Sequence, residues 1–102
     1  MTAALEQQVR DALRLVLDPE LGENIVDLGL IYDVAVSGDG AVKVTMTTTT
    51  PGCPAAEYLR EGVSNCVLAV AGVAAAEVTL TYEPMWTPAR MSAAAQGRLR
   101  GA

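Results

Sequence analysis

Val42-Lys43-Val44-Thr45-Met46-Thr47-Thr48 runs directly into Thr49-Thr50-Pro51-Gly52-Cys53-Pro54, and the change of character between the two halves decides the fold. In the first half Val42, Val44, Met46 and Thr48 share one face and Lys43, Thr45 and Thr47 the other, which is the period of a β-strand. The second half carries chain breakers and then Pro54, which suits the first position of a helix because its missing N–H would have no partner there anyway. Cys53 then becomes the N-cap residue of a strand-to-helix turn. A thiol at that end feels the positive pole of the helix and several unpaired backbone N–H groups, and both favour the thiolate. Cys53 is therefore the candidate nucleophile or metal ligand.

Upstream, Ile25-Val26-Asp27-Leu28-Gly29-Leu30 leads into an alternating run that sets Tyr32, Val34 and Val36 on one strand face. Ser37-Gly38-Asp39-Gly40 reads as a turn, so this strand and the next form an antiparallel hairpin. Further back, Leu5, Val9, Leu13 and Val16 fall at helical spacing, with Thr2 as a cap. The segment from Asp18 to Asn24 holds Pro19 and Gly22 and reads as a loop crowded with the acids Asp18, Glu20 and Glu23. Downstream, Leu59, Val63, Cys66, Val67 and Val70 form the apolar stripe of a second helix stopped by Gly72. Cys66 on that stripe reads as a small core hydrophobe. A third strand spans Glu77 to Tyr82, with Val78, Leu80 and Tyr82 on one face. Thr87-Pro88 then reads as the cap and first position of a last helix carrying Met91, Ala95 and Leu99. The order α-β-β-α-β-α describes an α+β fold, a two-layer sandwich in which helices cover one face of a small, mainly antiparallel sheet.

Size and composition narrow the function classes. With 102 residues the expectation is one domain over 1–102 with a single core. Half the residues are hydrophobic but only 4% are aromatic, and Phe is absent, so aliphatic side chains and Met must fill that core. A net charge of −5 without a basic cluster argues against nucleic acid as a partner, since phosphate contacts need clustered Lys and Arg. Arg90, Arg98 and Arg100 are interleaved with small residues and read as a solvated face. No apolar run approaches the roughly 20 residues of a membrane span, and the N-terminus lacks the layout of a signal peptide. The expectation is a cytoplasmic protein, away from membranes, with two reduced cysteines.

Four segments together resemble the metal-sulfur cluster assembly factor family. They are Asp18-Pro19-Glu20, Ile25-Val26-Asp27-Leu28-Gly29-Leu30-Ile31-Tyr32, Thr49-Thr50-Pro51-Gly52-Cys53-Pro54 and Trp86-Thr87-Pro88-Ala89-Arg90-Met91-Ser92. The family includes the cytosolic iron-sulfur targeting factor of eukaryotes, the bacterial Suf-linked maturation protein and the D component associated with phenylacetate oxygenase. The resemblance implies a non-catalytic role in maturing iron-sulfur proteins, with a functional site carried over onto Cys53, Asp18, Glu20, Thr49 and Thr50. It also implies partners among scaffold or sulfur-mobilising proteins and apo-clients. The chain lacks the cysteine-rich C-terminal extension and the longer N-terminus of some members, so it is expected to be a minimal, domain-only form.

Simpler readings stand beside each assignment. Asp18 and Glu20 suit a turn as well as a metal site, and Thr49 and Thr50 suit backbone hydrogen bonding near a helix start. Trp86, the only tryptophan, fits a partner anchor and a core lid equally. A cluster wants about four ligands, whereas this chain offers Cys53 and no histidine. Iron or a cluster would then be held transiently, by two chains, by one chain with a small thiol, or with a partner's cysteines. No stable cofactor is expected. The rival readings are a metal-free adaptor or dedicated chaperone for an oxygenase, and a cysteine-dependent enzyme, which the missing histidine base disfavours.

Overall fold

The computed structural model describes residues 2–19, 21–49, 52 and 54–100. The elements are α1 (Thr2–Leu13), β1 (Ile31–Val36), β2 (Ala41–Met46), α2 (Ala56–Leu68), β3 (Ala75–Leu80), a 3-10 turn (Pro88–Arg90) and α3 (Ala93–Arg100). The sheet order is β1-β2-β3. In the antiparallel hairpin Val34 faces Val44 and Val36 faces Val42. On the other side of β2, Val42, Val44 and Met46 lie beside Ala76, Val78 and Leu80 of β3. These residues form one apolar face, which α1 covers at β1 and α2 at β3 while the two helices also touch each other. Asp33, Lys43, Glu77 and Thr79 alternate with them and are exposed. The α+β sandwich and its element order are as expected.

The pairing of β3 corrects one expectation. β2 and β3 run parallel, so the sheet is mixed rather than mainly antiparallel. The reason is the connection: a strand that leaves through a helix crossing the sheet returns in the same direction if it docks beside its predecessor. The core consists of Val9, Leu13, Ile25, Leu28, Leu30, Val34, Val42, Val44, Met46, Leu59, Val63 and Val67, all at most 2% exposed. Three of these, Ile25, Leu28 and Leu30, come from the irregular segment before β1. That segment is stitched down by Ile25 N–H to the Val16 carbonyl (3.0 Å) and Thr47 N–H to the Leu30 carbonyl (2.8 Å).

A β-bulge changes which side chains face the core. Ile31 pairs with Met46 and Asp33 with Thr45, leaving Tyr32 as the extra residue. Simple alternation puts Tyr32 with Val34 and Val36. The bulge instead puts Ile31 against the core and re-aims Tyr32, whose hydroxyl donates to the Pro84 carbonyl at 2.7 Å. A one-residue insertion has this effect because side-chain direction in a strand reverses at every step.

Two helix starts also differ from the sequence reading. The cap of α2 is Ala55, without a side-chain hydrogen bond, so the helix starts later than Pro54 suggests; Cys53, the expected cap, lies outside the described residues. The last helix is split. Pro88 opens only a 3-10 turn that ends at an extended Met91, and α3 begins afresh with Ser92, whose Oγ accepts the Ala95 N–H at 3.1 Å. Ser92 is a stronger cap than Thr87, which makes no side-chain capping bond, and the stronger cap sets where the continuous helix begins.

Candidate functional site

β2 ends at Met46, and the chain then passes through buried Thr47 and Thr48 and half-buried Thr49 toward α2. This connection lies at the carboxyl end of β2, the end of a parallel strand pair where α/β folds usually place ligands. The Thr48 hydroxyl shares a hydrogen bond with the Tyr82 hydroxyl at 3.1 Å, and Thr81 N–H extends the β2–β3 ladder to the Met46 carbonyl at 2.9 Å. With the Thr47 N–H bond to the Leu30 carbonyl on the β1 side, the approach to the cysteine loop is anchored on both edges of β2. Cys53, Thr50 and Glu20 lie outside the described residues.

Asp18 is 2% exposed. Its Oδ1 accepts the Leu21 N–H (3.2 Å), its carbonyl accepts the Gly22 N–H (2.8 Å), and its own N–H donates to the Glu23 carbonyl (2.9 Å). Asp18 therefore organises the turn that its bonds to Leu21, Gly22 and Glu23 close, and the turn-forming reading of this acid has direct geometric support. Around the turn the side chains of Leu15, Leu17 and Leu21 are exposed, Leu15 at 81%.

The same loop is clamped to α3 by a cluster that apolar periodicity did not reveal. Arg98 grips Glu23 with two bonds of 2.6 and 2.8 Å and reaches Asp27 at 3.3 Å. Asp27 also accepts from Arg14 (3.0 Å) and from the Asn24 amide (2.9 Å), and its carbonyl accepts the Ser92 N–H at 2.7 Å. The Asn24 amide is the first cause holding the Asp27 carboxyl below its ordinary range; burial opposes it, and Arg14 and Arg98 add to it. Glu23 is lowered first by its hydrogen bonds to Arg98. A signal was available in the spacing: Asn24 Oδ1 accepts the Asp27 N–H at 2.9 Å, the cap bond of a single helical turn, while the return bond runs between the side chains, from the Asn24 amide to Asp27 Oδ2.

Cys66 is half-buried on α2, its thiol donating to the Ala12 carbonyl at 3.1 Å, and burial pushes its pKa up. It stays a thiol at neutral pH and suits packing, not ligation. Trp86 packs against the core with its indole N–H donating to the Leu28 carbonyl at 2.7 Å, so its polar handle is already engaged. Among the described residues no three Cys, Asp or Glu side chains converge to hold a metal ion, and no helix is long and apolar enough to cross a membrane.

Comparison with known proteins places this geometry. A Porphyromonas gingivalis protein named Fe-S protein maturation auxiliary factor is 48% identical over 87 residues, 85% of this chain and 83% of the relative. An iron-sulfur cluster carrier protein from Synechocystis is 43% identical over 74% of this chain but only 21% of its own length. The crystal structure of a Bacillus anthracis domain of unknown function, DUF59, superposes with a TM-score of 0.93 at 37% identity, covering 97% of this chain and 94% of that one. The family model described as iron-sulfur cluster assembly protein matches residues 6–80, a span running from α1 through the Asp18 turn and the cysteine loop to the end of β3. The chain belongs to the iron-sulfur cluster assembly protein family.

Proposed function

We propose that the protein is an accessory factor that assembles iron-sulfur clusters or delivers them to apo-proteins, with the cluster as cargo. The observation that carries this reading is the family match through residues 6–80, which spans all five candidate site residues. Cys53 is the cargo-binding thiolate, a soft ligand suited to cluster iron. Thr49 and Thr50 position its loop, and Asp18 and Glu20 are supporting acids. Delivery is then ligand exchange: a client thiolate replaces the Cys53 thiolate on iron, and no electrons change hands. One soft thiolate per chain leaves the other iron positions to a second copy, a small thiol or the client's own cysteines.

The role is non-catalytic and cytoplasmic, and one domain carries it. Anaerobic reconstitution with iron and sulfide, read by visible absorption and intact mass, tests the reading. A chromophore on the wild type that disappears in Cys53→Ala, and is unchanged in Cys66→Ala, is the expected result. Equal chromophores in wild type and Cys53→Ala would remove Cys53 from the mechanism. A second reading, a metal-free adaptor, is favoured by the exposed Leu15, Leu17 and Leu21 beside the Asp18 turn. It is distinguished by full activity of Cys53→Ala in restoring cluster enzymes to a strain lacking the gene.

A further inference from the structure

The bulge at Tyr32 and the 3-10 turn at Pro88–Arg90 build a second site that the cysteine chemistry does not use. Gly29 has φ +77°, and any Cβ there would run into the Arg90 carbonyl. The backbones of the two segments therefore meet in direct contact. Gly29, Ile31, Tyr32, Pro84 and Arg90 line an open pocket of about 410 Å³, within the size range of small-molecule sites. The Arg90 guanidinium lies over the Tyr32 ring, 4.7 Å from its centre. That ring is fixed in turn by its hydroxyl bond to Pro84.

Arg90 is exposed, and among the described residues no carboxylate lies within ion-pair distance of it. The contrast with four other arginines is informative: Arg10, Arg14, Arg60 and Arg98 each pair with Glu or Asp. In a chain with net charge −5, a guanidinium held by an aromatic face and left without an acid keeps its planar fork of donors available. A carboxylate matches that fork in shape and charge, and Ile31 and Pro84 supply apolar wall beside it.

We propose that this pocket binds a carboxylate bearing a short apolar group, with Arg90 as the anion contact and Tyr32 as the residue that orients it. The inference is independent of Cys53 and of cluster binding. The carboxylate can come from a free small acid or from an acidic side chain of a polypeptide, and both present the same group to Arg90.

Titration of the 15N-labelled protein with isovalerate, with N-acetyl-leucyl-glutamate amidated at its C-terminus, and with isovaleramide as the uncharged control tests it. Saturable shifts confined to Gly29, Ile31, Tyr32 and Arg90, with affinity on the order of a millimolar, are expected from at least one carboxylate and not from the amide. Arg90→Gln should weaken that binding at least about tenfold, the scale of a lost charge-assisted contact. Arg90→Lys should fall between, because it keeps charge and loses the fork. Tighter binding of isovalerate identifies the free acid as the source, and tighter binding of the blocked peptide identifies the side chain. Absence of saturable shifts with both carboxylates, equal binding of the amide, or unchanged affinity in Arg90→Gln would overturn the proposal. Arg90 is exposed, so these variants keep the core, and a native-like spectrum confirms it.

Discussion

The sheet with α1 and α2 and the clamp between the Asp18–Gly29 loop and α3 are two halves of the molecule held by different physics. The first is closed by aliphatic side chains with essentially no exposure, from Val9 to Val67. In the second the loop lends Ile25 and Leu28 to that core, but among the described side chains of α3 only Ala95 is fully buried, and the attachment of α3 rests on Arg98, Glu23, Asp27, the Ser92 amide and the neighbouring Trp86 indole. Apolar burial is insensitive to pH and only weakly sensitive to moderate salt, whereas half-exposed ion pairs respond to both. The loop that carries the candidate acids is thus coupled to the more adjustable half.

The sharpest way to separate the halves is to remove core volume. Leu59→Ala takes a fully buried side chain from α2 and should cost about 2–5 kcal/mol, seen as a loss of global stability in urea unfolding with all probes moving together. If α3 alone loosened while the sheet kept its midpoint, the division drawn here would be wrong. Gly29→Ala should come next. A left-handed backbone at a non-glycine residue costs about 1–3 kcal/mol, and the new Cβ must also push the Arg90 carbonyl away. Its signature is local: amide exchange should accelerate in residues 86–100 more than in β2 and α2. A uniform acceleration would mean that the contact at Gly29 is part of the main core.

Trp86→Phe sharpens the boundary between the halves. It keeps most of the aromatic packing and removes the indole donor from the Leu28 carbonyl, a loss of about 1 kcal/mol. Because Leu28 is a core residue and Trp86 belongs to the C-terminal segment, both halves should register this change modestly. An unchanged midpoint would show that water replaces the indole at that carbonyl.

How far the sequence reveals each half follows from the same contrast. Helix and strand periods report apolar burial, so Leu59, Val63 and Val67, the hairpin and the existence of the third strand are readable in advance, although that strand runs Ala75–Leu80 and not Glu77 to Tyr82. What periodicity cannot register is a single-residue insertion, and the bulge at Tyr32 moved Ile31 to the core without any breaker residue to announce it. The parallel return of β3 was implicit in the strand-helix-strand order, but an expectation built on the hairpin alone overlooked it. The polar clamp left only short-range traces, Asn24 three residues before Asp27 and Ser92 three before Ala95, which mark local caps and not the long-range grip of Arg98. Of the candidate site, the Thr47–Thr49 approach and the buried Asp18 are placed by the structure, while Glu20, Thr50 and Cys53 lie outside the described residues and their roles rest on the proposal.

Acid should loosen the clamp before it touches the core. Glu23 and Asp27 have carboxyls lowered from ordinary values of 4.5 and 3.8, so each binds protons less readily when folded than when unfolded. For such groups the stabilisation is complete above the ordinary values and is lost as pH falls toward the lowered folded ones. As pH falls below the ordinary values of 4.5 and 3.8, amides of α3 and of residues 22–29 should lose exchange protection, after correction for intrinsic rates, while those of Val44, Leu59 and Val63 hold theirs. Arg98→Gln should show weakened α3 protection already at neutral pH and a flatter acid slope, because Glu23 has lost its main reason to stay ionised. Added salt should move the wild type toward the variant, since Arg98 is about half exposed and its pairs are screened. If α3 and the core lost protection at the same pH in both proteins, the ion pairs would be surface decoration, and the attachment of α3 would have to be assigned to Ala95, Trp86 and the Ser92 N–H bond to the Asp27 carbonyl.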